Sequence, residues 1–201
     1  AKKGHICLQD HGDLVAYRDL ARDLPAIALA LEATFHTVGV SGNHTMSAEK
    51  LLQMAVQAQW KAQEIVSSID FPACVPGTGT VYQSFRHPAS TYAICGVAAL
   101  VEPSADQVSV AKCRVAVTGA LSYPIRLPKV EAALEGKAPT AENIEAAAKL
   151  AAEDAIAAQA DREGLTLVSD LYASTEYRTH LIGVLTKRTL TEATQRANFL
   201  A

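Results

Sequence analysis

The sequence predicts an α+β protein: a small antiparallel sheet of about three strands, covered on one face by helices and preceded by a partial α+β unit. Residues 80–119 hold three β-rich runs joined by short polar connections, and such connections favour antiparallel neighbours. From Pro128 onward the pattern turns helical, with alanine-rich and amphipathic stretches. A three-stranded sheet is unstable with both faces wet, so those helices must cover one of them. No solenoid-length repeat interrupts the order.

The first stretch, Ala1 to about Asp19, is polar and broken by Gly4 and Gly12. Asp23 then reads as an N-cap with Pro25 in the first turn, and Ala26 to Leu31 continues a short buried helix. Phe35 to Val40 is a strand, and Ser41-Gly42-Asn43-His44 is a turn leading to Thr45-Met46. Ser47 caps a helix whose apolar side is Leu51, Leu52, Met54, Ala55 and Ala58. Glu64 to Phe71 is a strand closed by Pro72. Cys74 to Gly79 is hinge-like, and the domain boundary falls there, dividing residues 1–73 from 79–201.

Three strands follow: Thr80–Arg86, Tyr92–Val101 and Val108–Gly119. The middle one is apolar on both faces, which places it centrally, and its small residues let something approach closely. His87-Pro88 is a strand-end turn, since proline stops the ladder. Pro128 opens a short helix that Gly136 ends. Thr140 caps a helix from Ala141 to about Ala160, and Ser174 caps a last helix carrying Leu181, Val184, Leu185 and Leu190 on its apolar side.

The chain has 201 residues, 49% of them hydrophobic, and a formal charge of -3. It lacks the basic field that nucleic acid or an acidic membrane surface would require, and it shows neither a signal peptide nor a membrane-spanning run. The scattered cysteines fit a reducing cytoplasmic setting, with Cys95 and Cys113 acting as small hydrophobes. The six histidines (His5, His11, His36, His44, His87 and His180) have no metal-ligand spacing. Arg178 and Glu176 read as pins between the last helix and its neighbours, not as catalytic groups.

The run Tyr82-Gln83-Ser84-Phe85-Arg86-His87-Pro88-Ala89-Ser90-Thr91-Tyr92-Ala93-Ile94 resembles the strand entry of the C-terminal domain in the FAD-binding (medium) subunit of xanthine/carbon monoxide dehydrogenase-type molybdenum hydroxylases. Gly119-Ala120 with Pro124-Ile125-Arg126, Val130 to Lys137, and Ser169 to Leu181 resemble the same domain in the same order. Asp23-Leu24-Pro25-Ala26 and Glu64 to Pro72 are similar to the end of the family's FAD-binding domain. The resemblance implies an electron-transfer subunit that helps enclose FAD. Its partners would be a molybdopterin-binding large subunit and a [2Fe–2S] small subunit, and a further chain could supply an N-terminal FAD domain. Asp23 would lie near the FAD ribose, and Val66, Tyr82, Ser84 and Tyr92 would line the flavin.

The sequence also departs from the family. The family holds the pyrophosphate with two glycine-rich loops. One would fall ahead of residue 1; in place of the other the chain has His5-Ile6-Cys7-Leu8-Gln9-Asp10-His11-Gly12-Asp13. Asp10 and Asp13 would repel phosphate. A lysine common near the flavin is Ser84 here, and the acid that usually follows is Thr91. The sequence therefore predicts weak FAD binding by this chain on its own. The alternative is a non-catalytic interaction or small-ligand module on the same scaffold.

Overall fold

The computed structural model describes residues 23–56, 64–88, 92–162 and 164–200. The polar stretch with Gly4 and Gly12, the segment His5–Asp13, Ala58 and Thr91 lie outside them. Helix α1 (Asp23–Ala30) leads into strands β1 (Thr34–Gly39) and β2 (Gly42–Ser47), helix α2 (Ala48–Val56) and strand β3 (Glu64–Asp70). These three strands form one antiparallel sheet in the order β2-β1-β3. Strands β4 (Gly79–Arg86), β5 (Ala93–Pro103), β6 (Val110–Thr118) and β7 (Ile125–Arg126) form a second, in sequential antiparallel order. Helices α3 (Pro128–Leu134), α4 (Ala141–Lys149), α5 (Ala151–Asp161) and α6 (Thr175–Arg196) complete the chain.

The α+β class holds, with antiparallel pairing throughout, and three details differ from the sequence reading. The second sheet has a fourth strand, β7, whose two residues are too few to leave a periodic signal. The stretch read as a turn at Ser41–His44 is a hairpin whose second arm is β2, with Val38 opposite Asn43 and Thr37 opposite His44. That arm is almost wholly exposed, so no alternation of apolar residues marks it. The helix expected over Ala141–Ala160 is kinked at Leu150 into α4 and α5, with Leu150 itself in right-handed helical conformation and no glycine or proline at the break.

The three predicted hydroxyl caps are present. The hydroxyl of Ser47 accepts from Lys50 N at 3.3 Å, that of Thr140 from Asn143 N at 3.3 Å, and that of Ser174 from Tyr177 N at 3.3 Å. Each satisfies an amide that the helix start leaves orphaned. Gly136, at φ 78°, turns the chain out of α3.

The second sheet is buried on both faces, which explains why β5 is apolar all round. On one face Cys95, Val97, Ala99, Val101, Val115 and Val117 pack against α3–α6. On the other, Ala98 and Ala116 join the core built by α1, α2 and β1. The sequence assigned helices to one face only; α1 comes back to cover the other. Gly79 permits close packing at the sheet's edge, because a Cβ there would sit 1.9 Å from the Ala193 carbonyl oxygen of α6. Asn198 N donates to Gly77 O at 3.0 Å, so the hinge-like segment is tied to the chain just past α6.

Just past α1 the chain turns through Glu32 at φ 52°, and Ala33 N donates back to Ala28 O at 2.8 Å. This is the left-handed helix ending usually given to glycine, and a side chain there costs about 1 kcal/mol. The carboxylate of Glu32 accepts from Lys112 Nζ at 2.5 Å and Arg114 Nε at 2.7 Å, with Arg126 Nη1 at 3.9 Å. Burial pushes this carboxyl up, but the hydrogen bonds from Lys112 and Arg114 outweigh it and hold it at about 2, against an ordinary value of 4.5. A depressed carboxyl contributes stability that is complete above the ordinary value and lost as pH falls through the depressed one. The contact between α1 and β6 is therefore expected to weaken between about pH 4.5 and 2. Stability measured against pH in a Glu32→Gln variant should lose that portion of the acid slope, and an unchanged slope would rule the contribution out.

Candidate functional site

Alternation along β4 turns Tyr82, Ser84 and Arg86 toward one face of the sheet, the face α1 covers. Tyr82 is half-buried, and its hydroxyl donates to Asp23 Oδ1 at 2.5 Å. Burial pushes the phenol well above its usual range, and the bond to Asp23 pushes it the same way, so the donor stays protonated. Arg86 Nε donates to Ser84 Oγ at 3.0 Å, and Arg86 Nη2 lies 3.9 Å from Asp23 Oδ2. Both of these charged groups remain open to solvent, at 58% for Arg86 and 42% for Asp23. Asp23 stands within the helix and not as its N-cap, with its carboxylate engaged by Tyr82.

Gly96 on β5 makes room for this cluster. A Cβ there would meet the Tyr82 hydroxyl at 2.3 Å, its Cζ at 3.0 Å and Thr118 Cγ2 at 3.1 Å. The tyrosine ring is what the small residues of the central strand admit.

Among the sequence-selected residues, the structure brings Asp23, Tyr82 and Ser84 together. Tyr92 stands at the other end of the β4–β5 connection, where its carbonyl accepts from His87 N at 2.8 Å. Val66 is in the first sheet, opposite Thr37 of β1, and exposed. Arg86 was not selected, although period-two spacing from Tyr82 and Ser84 could have found it. Beyond Arg86 lies an open apolar depression of about 440 Å³, lined by Phe85, His87, Pro88, Ile94, Tyr172 and Tyr177. His87 and Tyr172 meet edge to face at 4.0 Å, and so do Phe85 and Tyr177 at 6.1 Å.

The remaining candidates are structural. Arg178 is buried and pins α6 to the sheet, whereas Glu176 is exposed and bonds locally to the capping Ser174, so only one of the two expected pins is present. Cys95 and Cys113 are free and buried; burial lifts both thiols, Cys95 to about 12 against the opposing charge of Arg178 and Cys113 against those of Arg114 and Arg126. Among the described residues there is no cluster of three metal-ligating side chains, and no helix is long and apolar enough to cross a membrane.

With its second sheet buried between α1 and a helical layer, the chain is homologous to the flavoprotein subunits of molybdenum hydroxylases. Residues 80–193 match the CO dehydrogenase flavoprotein C-terminal domain, and the chain belongs to that family. It is 29% identical over 185 residues to the nicotine 6-hydroxylase medium subunit of Paenarthrobacter nicotinovorans, covering 92% of this chain and 60% of that protein. Identity to the carbon monoxide dehydrogenase medium chain of Hydrogenophaga pseudoflava is likewise 29%, over 92% of this chain and 60% of the relative. The solved carbon monoxide dehydrogenase of H. pseudoflava superposes with a TM-score of 0.73, covering 93% of this chain and 61% of that one. The chain thus spans about 60% of the length of the curated relatives it matches.

Proposed function

We propose that this chain works as the C-terminal part of a flavoprotein subunit, helping to enclose FAD and to pass electrons from iron–sulfur clusters to an external acceptor. One observation carries it: within this family's fold, α1 and β4 bring Asp23, Tyr82, Ser84 and Arg86 into one solvent-reachable cluster. The described residues fit the ribose-and-ring half of a flavin dinucleotide. Asp23 can accept from a sugar hydroxyl beside the Tyr82 bond, and Arg86 provides positive charge on the same face. Val66 and Tyr92 would extend the lining from the β3 strand and the β4–β5 connection. FAD supplies the redox chemistry, taking up electrons and releasing them to the acceptor; the protein residues hold and orient it. The division into a cofactor-domain portion, residues 1–73, and a C-terminal domain, 79–201, belongs to the same proposal. So do a molybdopterin-binding large subunit, a [2Fe–2S] small subunit and a further polypeptide carrying the phosphate-gripping loops.

The test is spectroscopic. The purified chain is titrated with FAD and followed in the visible flavin bands, alone and with the N-terminal remainder of a related medium subunit added in trans. Flavin uptake that needs the added polypeptide and weakens in Asp23→Asn and Arg86→Ala supports the proposal. Indifference to FAD in both settings would sink it and favour a cofactor-free module.

A further inference from the structure

A glutamate in a left-handed backbone conformation is uncommon, and here it is half-exposed, so burial alone does not account for it. Its surroundings give a reason. The carboxylate of Glu32 is taken by Lys112 and Arg114 of β6, with Arg126 of β7 close by. The two arginines are themselves placed by α3 and its C-cap: Arg114 Nη1 donates to Glu135 Oε1 at 2.8 Å, and Arg126 donates to buried Glu131, which also accepts from Val115 N at 3.0 Å. A chain of charges thus runs from the end of α1 to the helix behind the opposite face of the sheet. The cations pair with three carboxylates, and the first of those carboxylates sits on the strained residue. Strain of this kind persists where the surroundings over-determine the conformation.

We propose that Glu32 is a positioning residue: it locks the end of α1 onto β6 and so holds Asp23, at the start of that helix, against Tyr82. Helix α1 is short, with eight residues and no described side-chain cap at its start. Its buried residues are Ala26, Ala28, Leu29 and Ala30, three alanines and one leucine, and a face made mostly of alanines fixes the helix's depth on β5 and β6 better than its rotation. The ion cluster at one end and the Asp23–Tyr82 bond at the other define that rotation. The functional consequence, cofactor affinity that depends on Glu32, rests on the FAD role proposed for Asp23; the mechanical one does not.

The two contributions at Glu32 have opposite signs in a Glu32→Gly variant, because glycine relieves the backbone and abolishes the ion pairs. Hydrogen exchange on the full chain separates them. If the lock is right, the amides of α1 in Glu32→Gly lose about tenfold or more of their protection while those of β5 keep theirs, and Glu32→Gln, which keeps the shape and loses the charge, behaves similarly. Unchanged or increased protection of α1 in Glu32→Gly would overturn the proposal. So would an equal loss in α1 and β5, the mark of a general stability effect. FAD titration of the same variants reports separately on the role of Asp23: weakened exchange protection with unaltered flavin affinity keeps the lock and removes the cofactor reading.

Discussion

Arg178→Met is expected to cost about 3–5 kcal/mol of unfolding free energy, the range for removing one partner from a buried charged network. Arg178 is only 4% exposed, and its guanidinium serves three parts of the chain at once. Nη1 donates to Ile94 O at 2.6 Å and Gly119 O at 2.8 Å, joining the start of β5 to the chain just after β6. Nη2 donates to Asp170 Oδ2 at 2.5 Å, and Nε reaches Ala173 O at 3.4 Å. Methionine fills much of the same volume but leaves the two carbonyls without their donor, and such groups cost about 1–3 kcal/mol each when buried. The ion pair contributes less, because Asp170 is 41% exposed and water screens it. Lysine should rescue little, since a single ammonium cannot span positions matched to a planar fork. Urea unfolding should show the midpoint falling with an unchanged slope, and Asp170→Asn should show a much smaller loss. A near-neutral Arg178→Met would mean the network is not stabilising.

Strands β4, β5 and β6 and the Ser47, Thr140 and Ser174 caps were legible in the sequence because each leaves a local mark: β-rich runs bounded by proline and polar turns, or a hydroxyl residue just ahead of a helical pattern. Strand β2 leaves none. Its Gly42-Asn43-His44 start is the composition of a turn, and it pairs with the adjacent β1 across a tight hairpin while staying almost wholly exposed. The ring of His36 on β1 bridges Thr45 at 3.1 Å and Asp70 at 2.8 Å, while His44 meets Glu64 at 2.9 Å. The second covered face of the β4–β7 sheet was visible in outline, since a strand apolar on both sides needs two covers. Which element supplies the second cover is decided by tertiary contact alone. The candidate site followed the same division. Tyr82 and Ser84 follow from the resemblance, Arg86 is reached only by extending their period-two spacing along β4, and the link between Asp23 and Tyr82 spans 59 residues, beyond any local pattern. Glu32 carried no signal at all: its importance lies in a backbone angle and in cations about 80 residues away.

Gly96→Val is expected to lower stability by about 2–3 kcal/mol, at the upper part of what overpacking a well-filled interior costs, and to eject the Tyr82 ring from its seat. The position is central in β5, opposite Ser84 on one side and Thr118 on the other, so the strand itself cannot back away. The new side chain would have to occupy the space of the tyrosine hydroxyl, and the ring is the part that can move. Moving it breaks the Tyr82–Asp23 bond and leaves Asp23 facing Arg86 without its donor. Loss of the near-ultraviolet tyrosine signal should therefore accompany the fall in stability. Truncating the ring tests whether this is the route. In the double variant Gly96→Val with Tyr82→Ala, the clash has no second partner except Thr118, so the two losses should sum to clearly less than their separate values, the mark of a direct contact. Strict additivity would show that valine at 96 acts through the strand backbone or Thr118 and that the tyrosine is a bystander. Tyr82→Phe alone should be milder than either, because it removes the bond to Asp23 while the ring stays packed over Gly96.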